Sequence, residues 1–162
     1  MNGEEHILSI LVRNKPGVLS RLAGIFGRLG YNIETLCVAP TLDPAVSRIT
    51  LMSRADSQFT DKVRKQLDRL VDIVEVEELP AARALQREVL LMGIDCSGGR
   101  RADVLKGIDL FGCRVIFMRD DYAVLQTVGA PEETETALQY FQSIGIRDMA
   151  RTGIIALPKE KK

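Results

Sequence analysis

The sequence predicts an α+β protein built from two βαββαβ units. Three observations predict it. Apolar residues switch repeatedly between period two and helical spacing. Pro and Gly stand where one pattern hands over to the next. The order strand, helix, strand, strand, helix, strand occurs twice along 162 residues. With 46% hydrophobic residues, the chain can fill two small cores.

The first unit opens with "HILSILVR", His6 to Arg13, an apolar and branched stretch that reads as a buried strand. Val18, Leu19, Leu22, Ile25, Phe26 and Leu29 then fall at helical spacing. Pro16 suits the first turn of that helix, and Gly30 suits its left-handed stop. "YNIETLCVA", Tyr31 to Ala39, is the second strand, followed by a turn punctuated by Asp43-Pro44. In the third strand, "VSRITLMSR", Ile49 and Leu51 share one face while Arg48 and Thr50 take the other. Asp56 or Ser57 caps a second helix with apolar positions at Val63, Leu67 and Leu70. "VDIVEVEEL" alternates and closes the unit.

The order recurs after "LPAARALQR". "EVLLMGIDC" is a strand, and Ser97-Gly98-Gly99 opens a helix through Val104, Leu105, Ile108, Leu110 and Phe111. "CRVIFMR" and "YAVLQTVG" flank an Asp120-Asp121 turn. "PEETETALQYFQSI" is a helix with Pro131 and three Glu near its positive end. "IRDMARTGIIAL" closes the second unit. Each unit is the split ferredoxin-like arrangement, two helices on one face of a four-stranded antiparallel sheet. The expected domains are 1–78 and 87–162, joined by a linker over 79–86, with a solvated tail at Lys159–Lys162.

Composition excludes several function classes. The formal net charge of zero offers no footprint for nucleic acid. No apolar run reaches membrane-spanning length. Acids near the N-terminus stand where a signal peptide carries bases. Cys37, Cys96 and Cys113 show no paired spacing and read as reduced, buried thiols of a cytoplasmic protein. His6, the only histidine, reads as a core-edge residue. With one His there is no Ser-His-Asp set and no metal-ligand cluster.

The informative stretch is "VRNKPGVLSRL", where a strand enters a helix. A helix N-terminus leaves N–H groups unpaired and carries partial positive charge. Gly17 has no side chain, so another group can approach the backbone. Asn14 is neutral and able to reach the helix or a ligand, and Ser20 offers a hydroxyl one turn in. Together they describe a cradle for a small carboxylate, although Pro-Gly before a helix is also ordinary turn chemistry. Gly24 and Gly27 permit close approach of a second helix, or are simply tolerated. Ser97-Gly98-Gly99-Arg100-Arg101 stands at a second helix mouth that could take a phosphate, but reads as a plain turn, since no P-loop or dinucleotide pattern flanks it. Arg151-Thr152-Gly153 breaks a strand, either as a bulge or as a partner contact.

Three motifs in order carry a resemblance: Asn-x-x-Gly-x-Leu-Ser-Arg from Asn14, Gly-Tyr-Asn-Ile-Glu-Thr-Leu from Gly30, and Asp-Pro-x-x-Ser-Arg from Asp43. With "REVLLMGID" and "ARTGIIAL" further on, the chain resembles the acetolactate synthase small (regulatory) subunit family along essentially its whole length. The resemblance implies an N-terminal ACT domain, an amino-acid-binding module that pairs side by side into a homodimer. It implies an effector site at that interface, with Asn14, Gly17, Val18, Leu19 and Ser20 as one wall and Asn32 and Ile33 of the partner chain as the other. It implies a non-catalytic subunit that activates a large catalytic partner and confers feedback inhibition by valine, or by leucine or isoleucine. Thiamine diphosphate, Mg²⁺ and FAD are then expected in the large subunit only. Gly93, Phe117 and Arg147-Asp148-Met149 depart from the family pattern. The rival readings are a free-standing ACT sensor controlling transcription or another enzyme, and a small enzyme on a ferredoxin-like fold.

Overall fold

The computed structural model describes residues 3–160. In chain order the elements are β1 (Glu4–Arg13), α1 (Val18–Leu29), β2 (Thr35–Pro40), β3 (Val46–Ala55), α2 (Phe59–Leu67), β4 (Ile73–Glu78), a 3-10 turn (Ala81–Arg83), β5 (Ala84–Asp95), α3 (Arg101–Phe111), β6 (Arg114–Met118), β7 (Tyr122–Gly129), α4 (Pro131–Ile144), β8 (Ile146–Arg151) and β9 (Ile155–Pro158). They fall into two compact units, residues 3–85 with 154–160, and residues 86–153.

In the first unit the sheet order is β2-β3-β1-β4. Leu8 pairs with Leu51 and Ile10 with Ile49, so period two puts all four on one face. Val18, Leu22, Ile25 and Phe26 of α1 and Phe59, Val63 and Leu67 of α2 pack over them. Asp56 Oδ1 accepts the Gln58 N–H at 2.8 Å in the turn before α2, but the N-cap itself is Gln58, so neither Asp56 nor Ser57 takes the expected capping position. Gly30, at φ +74°, stops α1. His6 is buried, with Nδ1 2.8 Å from Glu78 Oε1 and its ring 4.9 Å from that of Phe59.

Three sequence expectations need correction here. The second strand begins at Thr35, not Tyr31, because Tyr31 turns edge-on to Phe59, centroids 4.8 Å apart. The segment 79–86 is not a free linker. Leu79 and Ala84 are buried with Ile7, and the Leu79 N–H donates to Ile7 O at 2.8 Å. The second domain does not extend from 87 to 162: beyond Gly153, at φ +75°, the chain leaves it. Ile154 and Ala156 join Ile7, Leu79 and Ala84 on the face of the first sheet away from its helices. β9 pairs with β5, and Lys159, exposed as expected, also donates its N–H to Arg83 O and its Nζ to Ala82 O. Lys161 and Lys162 lie outside the described residues, as do Met1 and Asn2.

The second unit repeats the topology as β6-β7-β5-β8. Leu90, Met92 and Ile94 of β5 and Ala123 and Leu125 of β7 pack with Val104, Leu138 and Phe141. Leu105 and Leu110 of α3 are exposed. Gly93 has a packing reason for its departure from the family pattern, because a side chain there would strike the Tyr122 hydroxyl. Among the cysteines, burial pushes the Cys96 and Cys113 thiols up. Cys37 is only half-buried, because β2 is an edge strand.

Asp95 ties together the far end of this unit. It accepts the Ser97 hydroxyl at 2.7 Å, the Ser97 N–H at 3.0 Å, Arg100 at 2.8 Å and Arg147 at 2.9 Å. The Ser97 hydroxyl and N–H, followed by Arg147, hold its carboxyl down from the ordinary 3.8 to about 2. The folded carboxyl is therefore harder to protonate than the unfolded one. Its stabilising contribution is complete above about pH 4 and is lost as pH falls through about 2. In Asp95→Asn, thermal unfolding followed by circular dichroism should show a flatter loss of stability across that acid window than the wild type.

Candidate functional site

The strand-to-helix mouth of the first unit has the features of a carboxylate cradle. Gly17 is the N-cap of α1, at φ +82° and ψ −8°, and no side chain caps the helix. The Arg21 N–H reaches Gly17 O at 3.1 Å. The N–H groups of Leu19 and Ser20 find no acceptor among the described residues. A left-handed backbone at an L-residue costs about 1–2 kcal/mol, so Gly at position 17 permits the bend as well as the approach. Asn14, Gly17, Leu19 and Ser20 are all exposed around this mouth.

Two side chains behave differently from the expectation. Val18 is buried in the core, so it can offer a ligand its backbone only. Asn14 neither caps the helix nor points freely outward. Its Nδ2 donates to Pro44 O at 3.0 Å and its N–H to Ala45 O at 2.7 Å, fastening the mouth to the β2–β3 turn.

Sequence reasoning assigned no role to Arg21, although it closes the first motif. Its Nη2 lies 2.5 Å from Asp72 Oδ2, and its Nη1 would sit 3.2 Å from a Cβ at Gly17. Half-exposed, the pair contributes at most about 1 kcal/mol to stability. Its consequence is positional, because it holds a guanidinium beside the cradle.

Asn32 and Ile33 lie at the other end of α1. Twelve residues of helix span about 18 Å, so a single chain does not bring Gly17 and Asn32 together around a small ligand. Asn32 is exposed. Its Nδ2 donates to Glu34 Oε1 at 2.9 Å, and its backbone O accepts the Ser53 hydroxyl at 2.6 Å. This leaves Oδ1 as an acceptor beside a carboxylate, a setting suited to an ammonium group. Glu34 is thus a second residue within a quoted motif to which sequence reasoning gave no role. Ile33 packs against the core from its edge.

The surface between the two ends of α1 is open and partly apolar. Leu19, Leu36 and Val38 are exposed, and β2 has a free edge. A Cβ at Gly27 would meet nothing within 4 Å, and one at Gly24 only Arg28, so neither glycine is required by packing within the chain. Elsewhere, among the described residues, no group of three or more His, Cys, Asp or Glu is placed to hold a metal. No helix among them is long and apolar enough to cross a membrane.

The chain's similarities divide between residues 75 and 87, with residues 154–160 matched together with the second segment. Residues 8–75 match the AHAS small subunit-like ACT domain, and residues 87–160 match the family described as small subunit of acetolactate synthase. The chain is 35% identical over 157 residues to the acetolactate synthase isozyme 3 small subunit of Escherichia coli K12, covering 96% of each protein. It is 32% identical over 160 residues to the probable acetolactate synthase small subunit of Methanothermobacter thermautotrophicus, covering 98% of this chain and 95% of that one. The crystal structure of the acetolactate synthase small subunit from Thermotoga maritima superposes with a TM-score of 0.91 at 27% identity, over 98% of this chain and 99% of that one. Since the likeness runs nearly end to end and through both units, the chain belongs to the acetolactate synthase small subunit family, and its first unit is an ACT domain.

Proposed function

We propose that the protein is a non-catalytic regulatory subunit that activates a large acetolactate synthase subunit and confers feedback inhibition by a branched-chain amino acid, valine first among them. The observation that carries the effector reading is the uncapped, glycine-led mouth of α1. The unpaired N–H groups of Leu19 and Ser20, with Arg21 beside them, suit an α-carboxylate. Asn32 Oδ1 and Glu34 suit an α-ammonium. Since about 18 Å of helix separates the two sets, the effector lies between two chains, with Asn14, Gly17, Val18, Leu19 and Ser20 from one and Asn32 and Ile33 from the other. The exposed edge of β2 and the unfilled Gly27 surface support a homodimer through the ACT domains. The large subunit condenses pyruvate with a second 2-ketoacid in the cytoplasm, and thiamine diphosphate, Mg²⁺ and FAD belong to it. Effector binding favours one arrangement of the ACT pair, and that bias alters the partner's activity.

The test is reconstitution. The purified protein alone should form no acetolactate from pyruvate. Added to its cognate large subunit, it should raise turnover and make it sensitive to valine. Condensation by the small protein alone, or a large subunit indifferent to it, would sink the reading.

A further inference from the structure

Arg151-Thr152-Gly153 stands where the chain makes its second passage between units, and the first passage falls at Leu85–Gln86. Close to both passages the second unit holds a clamp whose acid is buried and whose guanidinium reaches the surface. Glu88 is 3% exposed. Its Oε1 accepts Arg151 Nε at 3.2 Å and Nη2 at 3.0 Å, and also the Thr134 hydroxyl. Glu135 takes the same guanidinium at 3.1 Å. One residue further along each strand, the Thr152 N–H donates to Val89 O at 3.1 Å, and the Val89 N–H donates to Thr152 Oγ1 at 3.0 Å. An ion pair with one buried partner is weak evidence for stability, since apolar residues of similar size often serve as well, and its better-attested use is fixing register. Here it fixes the strand ends from which the chain enters and leaves the second unit. Gly153 turns the chain at φ +75°. Ile154 and Ala156 then seat on Ile7 of β1, the strand that runs at Arg13 into the Asn14–Gly17 mouth.

We propose that residues 154–158 are a strap, seated on the ACT sheet and held in place by the positioning residues Glu88 and Arg151, that carries the effector state of the first unit to the second. This inference rests on the effector reading above and adds its route. A shift of β1 at the cradle changes the seat at Ile7, and the strap is tied through two residues to the clamp.

The experiment uses the full-length protein and its cognate large subunit. Amide hydrogen exchange is followed over residues 150–160 with and without valine, in the wild type and in Ala156→Glu, which sets a charge into the buried seat. Valine should slow exchange of the strap at least about threefold in the wild type. Ala156→Glu should speed it about tenfold while leaving β6 and β7 protected. In the holoenzyme, the valine concentration for half inhibition should rise about tenfold or more, with activation unchanged and calorimetric valine binding retained. If Ala156→Glu does not fold, the double variant Glu88→Gln/Arg151→Met replaces it with the same readouts. Strap exchange indifferent to valine, or a released strap with wild-type inhibition, would overturn the relay alone. A wild type that binds no valine would overturn the effector reading and the relay together.

Discussion

A Gly17→Asp protein should fold and activate its partner yet lose feedback, with effector affinity reduced about a thousandfold. A carboxylate about 4 Å from the effector's own costs on the order of 4 kcal/mol at an effective dielectric near 20. The geometry adds a second loss in the same direction. Arg21 Nη1 lies 3.2 Å from the position of the new Cβ, so the introduced acid competes for the guanidinium that would otherwise face the ligand. The backbone at φ +82° weighs on folding rather than on affinity, and Asp is among the L-residues that tolerate it best. Gly17→Asn separates the two contributions, having nearly the same shape and no charge. It should bind far better than Gly17→Asp. Calorimetry with valine on both variants, beside their thermal unfolding, measures each effect. Unchanged affinity in a folded Gly17→Asp protein would refute the cradle.

A heterodimer of Gly17→Asp and Asn32→Ala chains should recover one tight effector site per dimer, although each mutant homodimer has two damaged ones. The expectation follows from the length of α1: Gly17 and Asn32, about 18 Å apart along the helix, serve one small ligand only across two chains. Removing Asn32 Oδ1 from a charged ammonium should cost roughly 1.5–3 kcal/mol, a weakening of about 10- to 150-fold. In the mixed dimer one site collects both lesions, and the other is built from wild-type residues alone. Differently tagged chains, co-expressed, purified as the heterodimer and titrated with valine, give the answer. Affinity no better than either homodimer, in a dimer verified not to exchange, would place the site within one chain or elsewhere.

Much of the architecture was legible in the sequence because its signals are local. The alternation around Ile49 and Leu51, the helical stripe from Val18 and the stop at Gly30 each follow from a few neighbouring residues, and all hold except that Leu19 of the stripe is exposed. What was not legible depends on partners distant in sequence. "IRDMARTGIIAL" reads as one strand, yet Ile154 and Ala156 find their partner in Ile7, nearly the whole chain away. Tyr31 has a strand former's side chain, but its N–H donates to Phe26 O at the end of α1 and its ring meets that of Phe59. Asn14 looked free for a ligand, and its amide is engaged by a carbonyl in another turn. At the candidate site, Gly17 was legible from its place before a helix. Arg21 and Glu34 acquire roles only once Asp72 and Asn32 are seen beside them. The pairing of Gly17 with Asn32 of a second chain is what the resemblance implies, and the length of α1 supports it.

The seat of the strap also orders events during synthesis. The strands and helices of the ACT unit are complete by Glu78, yet the apolar patch around Ile7 waits for residues 154–160. All of residues 86–153 emerge from the ribosome before them, so the second unit can fold while the back of the first sheet is still bare. Exposed apolar strand surface of that kind is the hazard of nascent and partly folded chains. The last residues of the described chain thus act as the closing step of its first domain, and a stalled or clipped product would carry an ACT sheet with an adhesive back.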